Sequence, residues 1–157
     1  MKEIKLTQGK VTLVDDEDFE VLNQFKWCAA KRGNAFYAER TIMVGEKKEC
    51  VLMHCVILNR KGIDHRDHDG LNNQKGNLRF CTVSENAMNN RKRENTSSIY
   101  KGVHFHKRDK KWLASIKING KTIHLGYFAS ETDAALAYNK KAIELFCEFA
   151  NLNIINE

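Results

Sequence analysis

Four residues in the middle of the chain have the side-chain types of a metal-assisted hydrolytic site. Asp64 and His65 are adjacent, and Asn77 and Asn86 follow them. The Asp64 carboxylate and the Asn86 amide oxygen are hard ligands of the kind that Mg²⁺ and Mn²⁺ prefer. A histidine with an ordinary pKa of about 6.5 is neutral near pH 7, so His65 can take a proton from an attacking water. These residue types are the ones that metal-assisted hydrolysis uses.

The segment that holds these residues resembles the HNH nuclease motif of phage and intron homing endonucleases. The resemblance is carried by IDHRDHDGLNNQKGNLRFCTVSENAMNNR, and its spacing matches the subfamily whose third motif position is Asn. It implies a ββα unit within residues 51–91. Asp64 and Asn86 would then bind Mg²⁺ (or Mn²⁺), and His65 would be the general base. Asn77 is grouped with His65 as a catalytic residue, with the expectation that it braces the loop through backbone hydrogen bonds.

Other polar residues near the motif have competing interpretations. His68 could replace His65 as the base, but it sits in a tight loop ending in Gly70, and we interpret it as a loop residue. Asp67 and Asp69 could be extra metal ligands, although acidic residues beside a glycine are usually turn formers. His54 lies in an apolar run, where histidines are more often core residues than catalysts.

From residue 100 onward, three runs alternate apolar and polar residues with the period of half-buried strands. Asn119-Gly120 predicts a tight hairpin turn between the last two runs. Ser130 opens a capping signature for a helix that should extend to about Phe149 and cover the apolar sheet face. That face comprises Val103, Phe105, Trp112, Ala114, Ile116, Ile118, Ile123, Leu125 and Tyr127. The helix stripe comprises Ala135, Tyr138, Ala142, Leu145 and Phe149.

The same segment resembles the Apetala-two / ethylene-response-factor (ERF) DNA-binding domain. The blocks YKGV, KW, HLGYF, DAALAYN and ANLN occur in the family's order and spacing over residues 99 to about 154. The resemblance implies a sheet that enters the major groove of double-stranded DNA. The chain has His, Ser, Thr and Lys where plant members place Arg and Trp, so the target sequence does not transfer. The implied DNA contacts are Lys101, Gly102, His104, His106, Arg108, Ser115, Lys117, Thr122 and His124.

The first half of the chain carries weaker signals. Strands are predicted at 10–14 and 35–42, with a turn at Arg32-Gly33-Asn34. A short helix is predicted at 15–25. Several residues here also resemble the N-terminal part of phage homing proteins, without a role that follows from the match. We expect residues 1–50 to form a β-rich module that supports the nuclease core.

Composition limits the remaining function classes. The chain has 157 residues, of which 42% are hydrophobic and 29% charged, so it should fold into one ordinary domain or two small ones. Its net charge of +6 is concentrated in residues 100–128, which favours a polyanionic partner. No stretch approaches the ~20 apolar residues of a membrane span, and the N-terminus lacks a signal-peptide core. We expect an intracellular protein with no membrane contact.

The cysteines predict neither disulfides nor a zinc site. Their number is odd, they are far apart, and none forms a CxxC pair. A zinc site built from His54, Cys55 and Cys81 would lack the paired ligands that structural zinc sites use. We therefore expect reduced thiols at Cys28, Cys50, Cys55, Cys81 and Cys147.

The predicted fold class is α+β: an N-terminal β-rich module with a ββα-metal (HNH) core, followed by a three-stranded antiparallel sheet packed on one α-helix. The domains are residues 1–95, the nuclease region, and residues 99–157, the ERF-like DNA-binding domain. The basic, polar stretch at 91–98 is the joint.

The predicted function is that of a site-specific DNA endonuclease. One ββα site handles one strand at a time, so a monomer should nick, and double-strand cutting would require a weak dimer on DNA or two events. The small size and joined modules suggest a phage or prophage protein in the cytoplasm of a bacterial host. The alternative is a non-catalytic, sequence-specific DNA-binding protein with a degenerate nuclease core.

Overall fold

The computed structural model describes residues 1–90, 92 and 96–155. The mixed α+β class that the sequence predicts is confirmed. The chain divides into two compact units, Met1–Thr82 and Val83–Glu157. The predicted joint at 91–98 falls inside the second unit, and four of its residues, Arg91, Arg93, Glu94 and Asn95, lie outside the described residues.

The first unit contains three small antiparallel sheets and two short helices. One sheet pairs β1 with β2, the second has the order β3-β4-β5, and the third pairs β6 with β7. The bounds are β1 Lys2–Lys5, β2 Val11–Val14, α1 Asp16–Leu22, β3 Cys28–Arg32, β4 Ala35–Val44, β5 Lys47–Leu52, α2 Met53–Ile57, β6 Ile63–His65 and β7 Leu78–Phe80.

The core of the first unit joins the two N-terminal sheets to helix α2. Val14 and Met53 are fully buried, and Trp27 is 2% exposed with its indole N–H donated to the carbonyl of Leu22. The ring of Trp27 is therefore part of the core while its one polar atom is satisfied. The remaining buried members of this cluster are Ile4, Leu6, Leu22, Ala29 and Ala38.

The second unit contains one antiparallel sheet of order β10-β9-β8, covered by the long helix α4. Ser130 caps α4, because its side chain accepts from the backbone N–H groups of Thr132 and Asp133. Val103 and Ala114 of the sheet pack against Ala134 and Ala135 of the helix. The bounds are α3 Val83–Asn89, β8 Val103–His106, β9 Lys111–Ile118, β10 Lys121–Phe128 and α4 Glu131–Phe146.

Two details of this unit differ from the sequence prediction. Helix α4 ends at Phe146, where Cys147 takes a positive φ of 47° and a short 3-10 turn follows, so Phe146 is buried and Leu145 is only half-buried. A bulge between His124 and Gly126 shifts the register of β10. The bulge inverts the alternation beyond it, so Phe128 joins the core and Tyr127 is 48% exposed.

No helix within residues 1–90, 92 and 96–155 is both long enough and apolar enough to cross a bilayer.

Candidate nuclease site and nucleic-acid interface

The hairpin of β6 and β7 places the predicted base and the predicted metal ligand side by side. Asp64 pairs with Arg79 across the hairpin, and His65 pairs with Leu78. The three residues of β6 are all buried, so the hairpin is packed on both faces. Because neighbouring residues on a strand point to opposite faces, the Asp64 and His65 side chains leave the strand on different sides.

Asp64 forms a buried ion pair with Arg79. The guanidinium donates from Nε at 3.0 Å and from Nη2 at 2.8 Å, and both hydrogen bonds fall on Oδ2 of the carboxylate. The two side chains are 9% and 6% exposed. Arg79 therefore holds the carboxylate in one orientation.

His65 is surrounded by rings and by one buried amide. Its ring centroid lies 4.9 Å from that of His54 and 5.8 Å from that of Tyr37, in edge-on geometry. Its Nε2 lies 3.2 Å from Oδ1 of Asn73. Burial lowers the pKa of His65, and the hydrogen bond to Asn73 and the nearby carboxylates, Asp67 first, oppose that shift. The imidazole is consequently neutral at pH 7 and able to accept a proton.

His54 is a second buried histidine beside the first. It is 5% exposed, and burial, with smaller contributions from His65 and Arg32, lowers its pKa to about 4. Its Nδ1 has no hydrogen-bond partner within the described part of the chain. A neutral His54 packs against the His65 ring without adding a like charge.

The loop between the two strands is organised by its own polar side chains. Asn77 accepts from the backbone N–H of Asp67 and donates to the backbone carbonyl of Asn72. Its amide also donates to Oδ1 of Asp67, which accepts from the backbone N–H of Asp69 as well. These hydrogen bonds make Asp67, Asp69 and Asn77 parts of one turn network. Gly70 lies so close to Tyr37 that a Cβ would meet its ring at 2.6 Å.

The N-terminal module holds this loop through the end of β2. The backbone of Leu13 donates to Leu71 and accepts from Asn73, with both hydrogen bonds 2.8 Å long. The carboxylate of Asp15 accepts from the backbone N–H of Lys75 at 2.8 Å and from the side chain of Gln74 at 3.3 Å. Leu13 and Asp15 of the N-terminal module therefore hold the loop that carries the residues around His65.

Helix α3 carries the predicted metal ligand Asn86, whose side chain is exposed. The C-terminal end of α3 is bonded to the rest of the second unit. Lys101 Nζ donates to the carbonyl of Met88 at 2.8 Å and to that of Asn90 at 2.5 Å. Asn151 donates to the carbonyls of Asn89 and Asn90. These contacts satisfy carbonyls that a helix end leaves without intrahelical partners.

Comparison with known proteins supplies the family. The chain is 30% identical over 154 residues to a protein of Acanthamoeba polyphaga mimivirus named as an uncharacterized HNH endonuclease, and the match covers 95% of this chain and 78% of that protein. The chain belongs to the HNH endonuclease family. No protein-family model matches it. No solved structure matches it.

The arrangement of ionisable groups in this HNH family member is compatible with a metal held by few protein ligands. Within the described residues, no three His, Cys, Asp or Glu side chains are grouped so that they could hold a metal ion. The zinc alternative of His54, Cys55 and Cys81 forms no such group. Mg²⁺ is commonly bound by only one or two carboxylates together with water and a substrate phosphate, and the Asp64 carboxylate fits that pattern.

The predicted DNA contacts of the HNH chain fall on one sheet face, which we call the polar face. His104, Lys117, Thr122 and His124 are exposed there, and His106 and Ser115 are half-buried. The bulge adds Tyr127 to this face, with its ring centroid 5.3 Å from that of His106. The polar face therefore presents an aromatic ring as well as hydrogen-bonding groups.

Three further predicted contacts lie beside the polar face in different environments. Arg108 is exposed and donates to Asp109 at 2.8 Å. Lys101 is half-buried, and burial lowers the pKa of its ammonium to about 8, so it is still mostly protonated at neutral pH when it bonds the end of α3. Gly102 has φ of 75°, and a Cβ there would lie 2.1 Å from the Tyr138 ring. Gly102 is required by packing whatever it does on DNA.

Sequence reasoning missed four residues that build the environment of His65: Arg79, Asn73, Thr12 and Tyr37. Arg79 could have been found by pairing the two strands of the hairpin, because it stands opposite Asp64. Asn73 and Thr12 are 61 residues apart in sequence, and no local pattern connects them.

Proposed function

We propose that the chain is a DNA endonuclease that nicks one strand by hydrolysing a phosphodiester bond. The observation that carries the proposal is the position of His65. It follows Asp64 directly in β6, is neutral at pH 7, and is held at Nε2 by a fully buried amide. A positioned, neutral imidazole with carboxylates near enough to stabilise its charged form is the arrangement that general-base hydrolysis requires.

The proposed chemistry uses His65 as the acceptor of one proton. As the water oxygen bonds to phosphorus, His65 takes a proton from it and becomes an imidazolium. The bond between phosphorus and the 3′ oxygen of the sugar then breaks, and its electron pair stays on the 3′ oxygen. The products are a 5′-phosphate and a 3′-hydroxyl, once the 3′ oxygen has taken a proton from solvent water and the His65 imidazolium has returned its proton to solvent. The carboxylates near His65 stabilise the imidazolium, since they raise its pKa against the effect of burial.

Mg²⁺ (or Mn²⁺) is the proposed cofactor. Asp64 fits it as a hard oxygen ligand, and the Arg79 guanidinium orients that carboxylate through hydrogen bonds to Oδ2. Asn86, the other ligand in the HNH resemblance, is an exposed residue of helix α3. When bound, the ion would neutralise charge on the phosphate and on the leaving oxygen.

The polar face is the proposed DNA-binding surface, and double-stranded DNA is the proposed substrate. Antiparallel strands fit the major groove, where base edges present a readable pattern of donors and acceptors. Lys117 and Arg108 supply positive charge to phosphates, and His104, Thr122 and His124 are exposed for base or backbone contacts. A monomer with one nuclease site is expected to cut one strand at each event.

The deciding experiment measures nicking of supercoiled DNA that carries the natural target, with Mg²⁺, Mn²⁺ or EDTA. His65→Ala should lower the nicking rate by about 10²- to 10⁴-fold, the contribution of a general base. His68→Ala is the matched control, because it removes the other histidine of the same loop, which we interpret as a loop residue. It should retain most activity. Both variants should bind the target as wild type does. Equal nicking by wild type and His65→Ala would refute the assignment of the base.

A second candidate function is supported by the buried Asp64–Arg79 ion pair, which could serve only to hold the hairpin together. The chain would then be a DNA-binding protein with no chemistry. Target-specific binding with no cleavage in either metal would favour this function over the nuclease.

A further inference from the structure

A chain of buried hydrogen bonds leads from the N-terminal module to the His65 ring. Thr12 of β2 donates from Oγ1 to the carbonyl of Leu71 at 2.7 Å. Asn73 Nδ2 lies 2.7 Å from that same Thr12 oxygen, and Asn73 Oδ1 lies 3.2 Å from Nε2 of His65. Thr12 and Asn73 are both fully buried, and His65 is 5% exposed.

The donors and acceptors in this series of hydrogen bonds fit together in one way only. The Leu71 carbonyl oxygen accepts hydrogen bonds and cannot donate them, and the same is true of the Met53 sulfur, which lies 4.0 Å from the Thr12 oxygen. The single hydroxyl hydrogen of Thr12 is therefore donated, and the Thr12 oxygen must accept from Asn73. Only the NH₂ group of Asn73 can donate, so its carbonyl oxygen faces His65. A carbonyl oxygen requires a donor, which places a hydrogen on Nε2 of His65.

We infer that Thr12 and Asn73 are positioning residues that fix the neutral tautomer of His65, with the hydrogen on Nε2 and Nδ1 as the nitrogen that accepts the proton from water. The inference deepens the proposed function and rests on it, because it names the atom of the base. Neither residue would touch the DNA. Each acts through the imidazole, as the partners of ligating and catalytic histidines commonly do.

Backbone hydrogen bonds around Asn73 fix the positions of Thr12 and Asn73. The N–H of Asn73 donates to the carbonyl of Leu13 at 2.8 Å, and the N–H of Leu13 donates to the carbonyl of Leu71 at 2.8 Å. Thr12 and Asn73 are thus fixed by the same pairing between β2 and the loop. Rotation of the Asn73 amide would set its NH₂ group against the N–H of His65. It would also set the Asn73 carbonyl oxygen against the Thr12 oxygen, whose hydrogen is donated to Leu71.

The test pairs Thr12→Val with Thr12→Ser. Valine keeps the shape of threonine and removes the hydroxyl, which releases the Asn73 amide from its orientation, while serine keeps the hydroxyl. The first measurement is the ring ¹⁵N spectrum of protein labelled in histidine, at one fixed pH where His65 is neutral, with its signals identified by their loss in His65→Gln. Nicking rate, target binding and thermal melting are measured on the same proteins.

Wild type and Thr12→Ser should show His65 with the hydrogen on Nε2. Thr12→Val should shift the ring ¹⁵N signals toward a mixture of tautomers and lower the nicking rate by about 10- to 100-fold, with target binding unchanged. A purely structural role would lower the melting temperature of Thr12→Val without moving the ¹⁵N signals.

Two results would overturn the inference. One is a ring ¹⁵N spectrum that places the hydrogen of wild-type His65 on Nδ1. This result requires neither a variant nor measurable nicking. The other is a Thr12→Val protein that nicks at the rate of Thr12→Ser. Absence of nicking in wild type with both metals would instead reject the proposed nuclease, and the ¹⁵N spectrum would still decide the tautomer.

Discussion

The region around His65 and the polar face of the C-terminal sheet are built in opposite ways. Around His65, the polar groups are buried and bonded to partners that are distant in sequence, such as Thr12 and Asn73. On the polar face, most of the predicted contacts are exposed, and the face owes its form to a regular sheet. The difference fits the two proposed roles, because proton transfer requires one fixed geometry, whereas a DNA-binding surface can adapt its side chains on the ligand.

The largest expected effect belongs to the region around His65 and concerns a buried charge. Arg79→Ala leaves the Asp64 carboxylate buried without its guanidinium, and we expect a loss of about 3–5 kcal/mol in the free energy of unfolding. Urea denaturation measures it. Arg32→Ala removes a half-exposed ion pair with Glu39 in the same unit and should cost less than about 1 kcal/mol. Equal losses for the two variants would show that burial does not distinguish these pairs.

The second prediction concerns pH and the buried pair of histidines. The pKa of His54 is about 4 in the folded protein against an ordinary 6.5, so between those values the unfolded chain binds a proton that the folded one does not. Stability should therefore be unaffected by this group above pH 7 and fall by roughly 3 kcal/mol as the pH drops from 6.5 to 4. His65, whose pKa burial lowers too, acts in the same direction, although Asn73 and the carboxylates of Asp67, Asp64 and Asp69 oppose that shift. Arg32 and Tyr37 also face the pair.

Urea denaturation at several pH values tests this expectation in wild type and in His54→Gln. The variant should lose part of the acid dependence. His104→Gln, on the exposed polar face, should keep all of it. An unchanged slope in His54→Gln would mean that His54 is not the group responsible.

The smallest effect belongs to the polar face. Lys117→Ala should weaken DNA binding only modestly and reduce the slope of log affinity against log salt concentration by about one unit, since one phosphate contact is lost. Titrations at several salt concentrations measure it, with Lys140→Ala on the exposed side of α4 as the control. A wild-type slope in Lys117→Ala would place that lysine away from the phosphates.

Local signals were enough for part of this molecule. Asn119-Gly120 correctly predicts the turn between β9 and β10, and Ser130 correctly predicts the start of α4. Both signals act within a few residues, where backbone preference decides the structure. The HNH motif likewise identified the family that the mimivirus relative supports.

Other features were not predictable because they depend on pairing or on a register shift. The bulge beside Gly126 inverts the faces of the last residues of β10, so the strict alternation assigned Tyr127 to the wrong face. The Asp64–Arg79 pair needs the register of β6 on β7. The contact of Thr12 with Asn73 needs the tertiary fold itself, because the two residues lie on different elements.

The bonds that Lys101 and Asn151 make to the last carbonyls of α3 bear on how this protein can be recombined with others. A chimera that exchanges the C-terminal sheet for one with a different target would, if joined within residues 91–98, separate α3 from the groups that cap it. A junction ahead of Val83 transfers helix, caps and sheet as one block. A fusion at residues 82–83 therefore keeps α3 capped, and the incoming block must supply its own α3 residue in the place of Asn86.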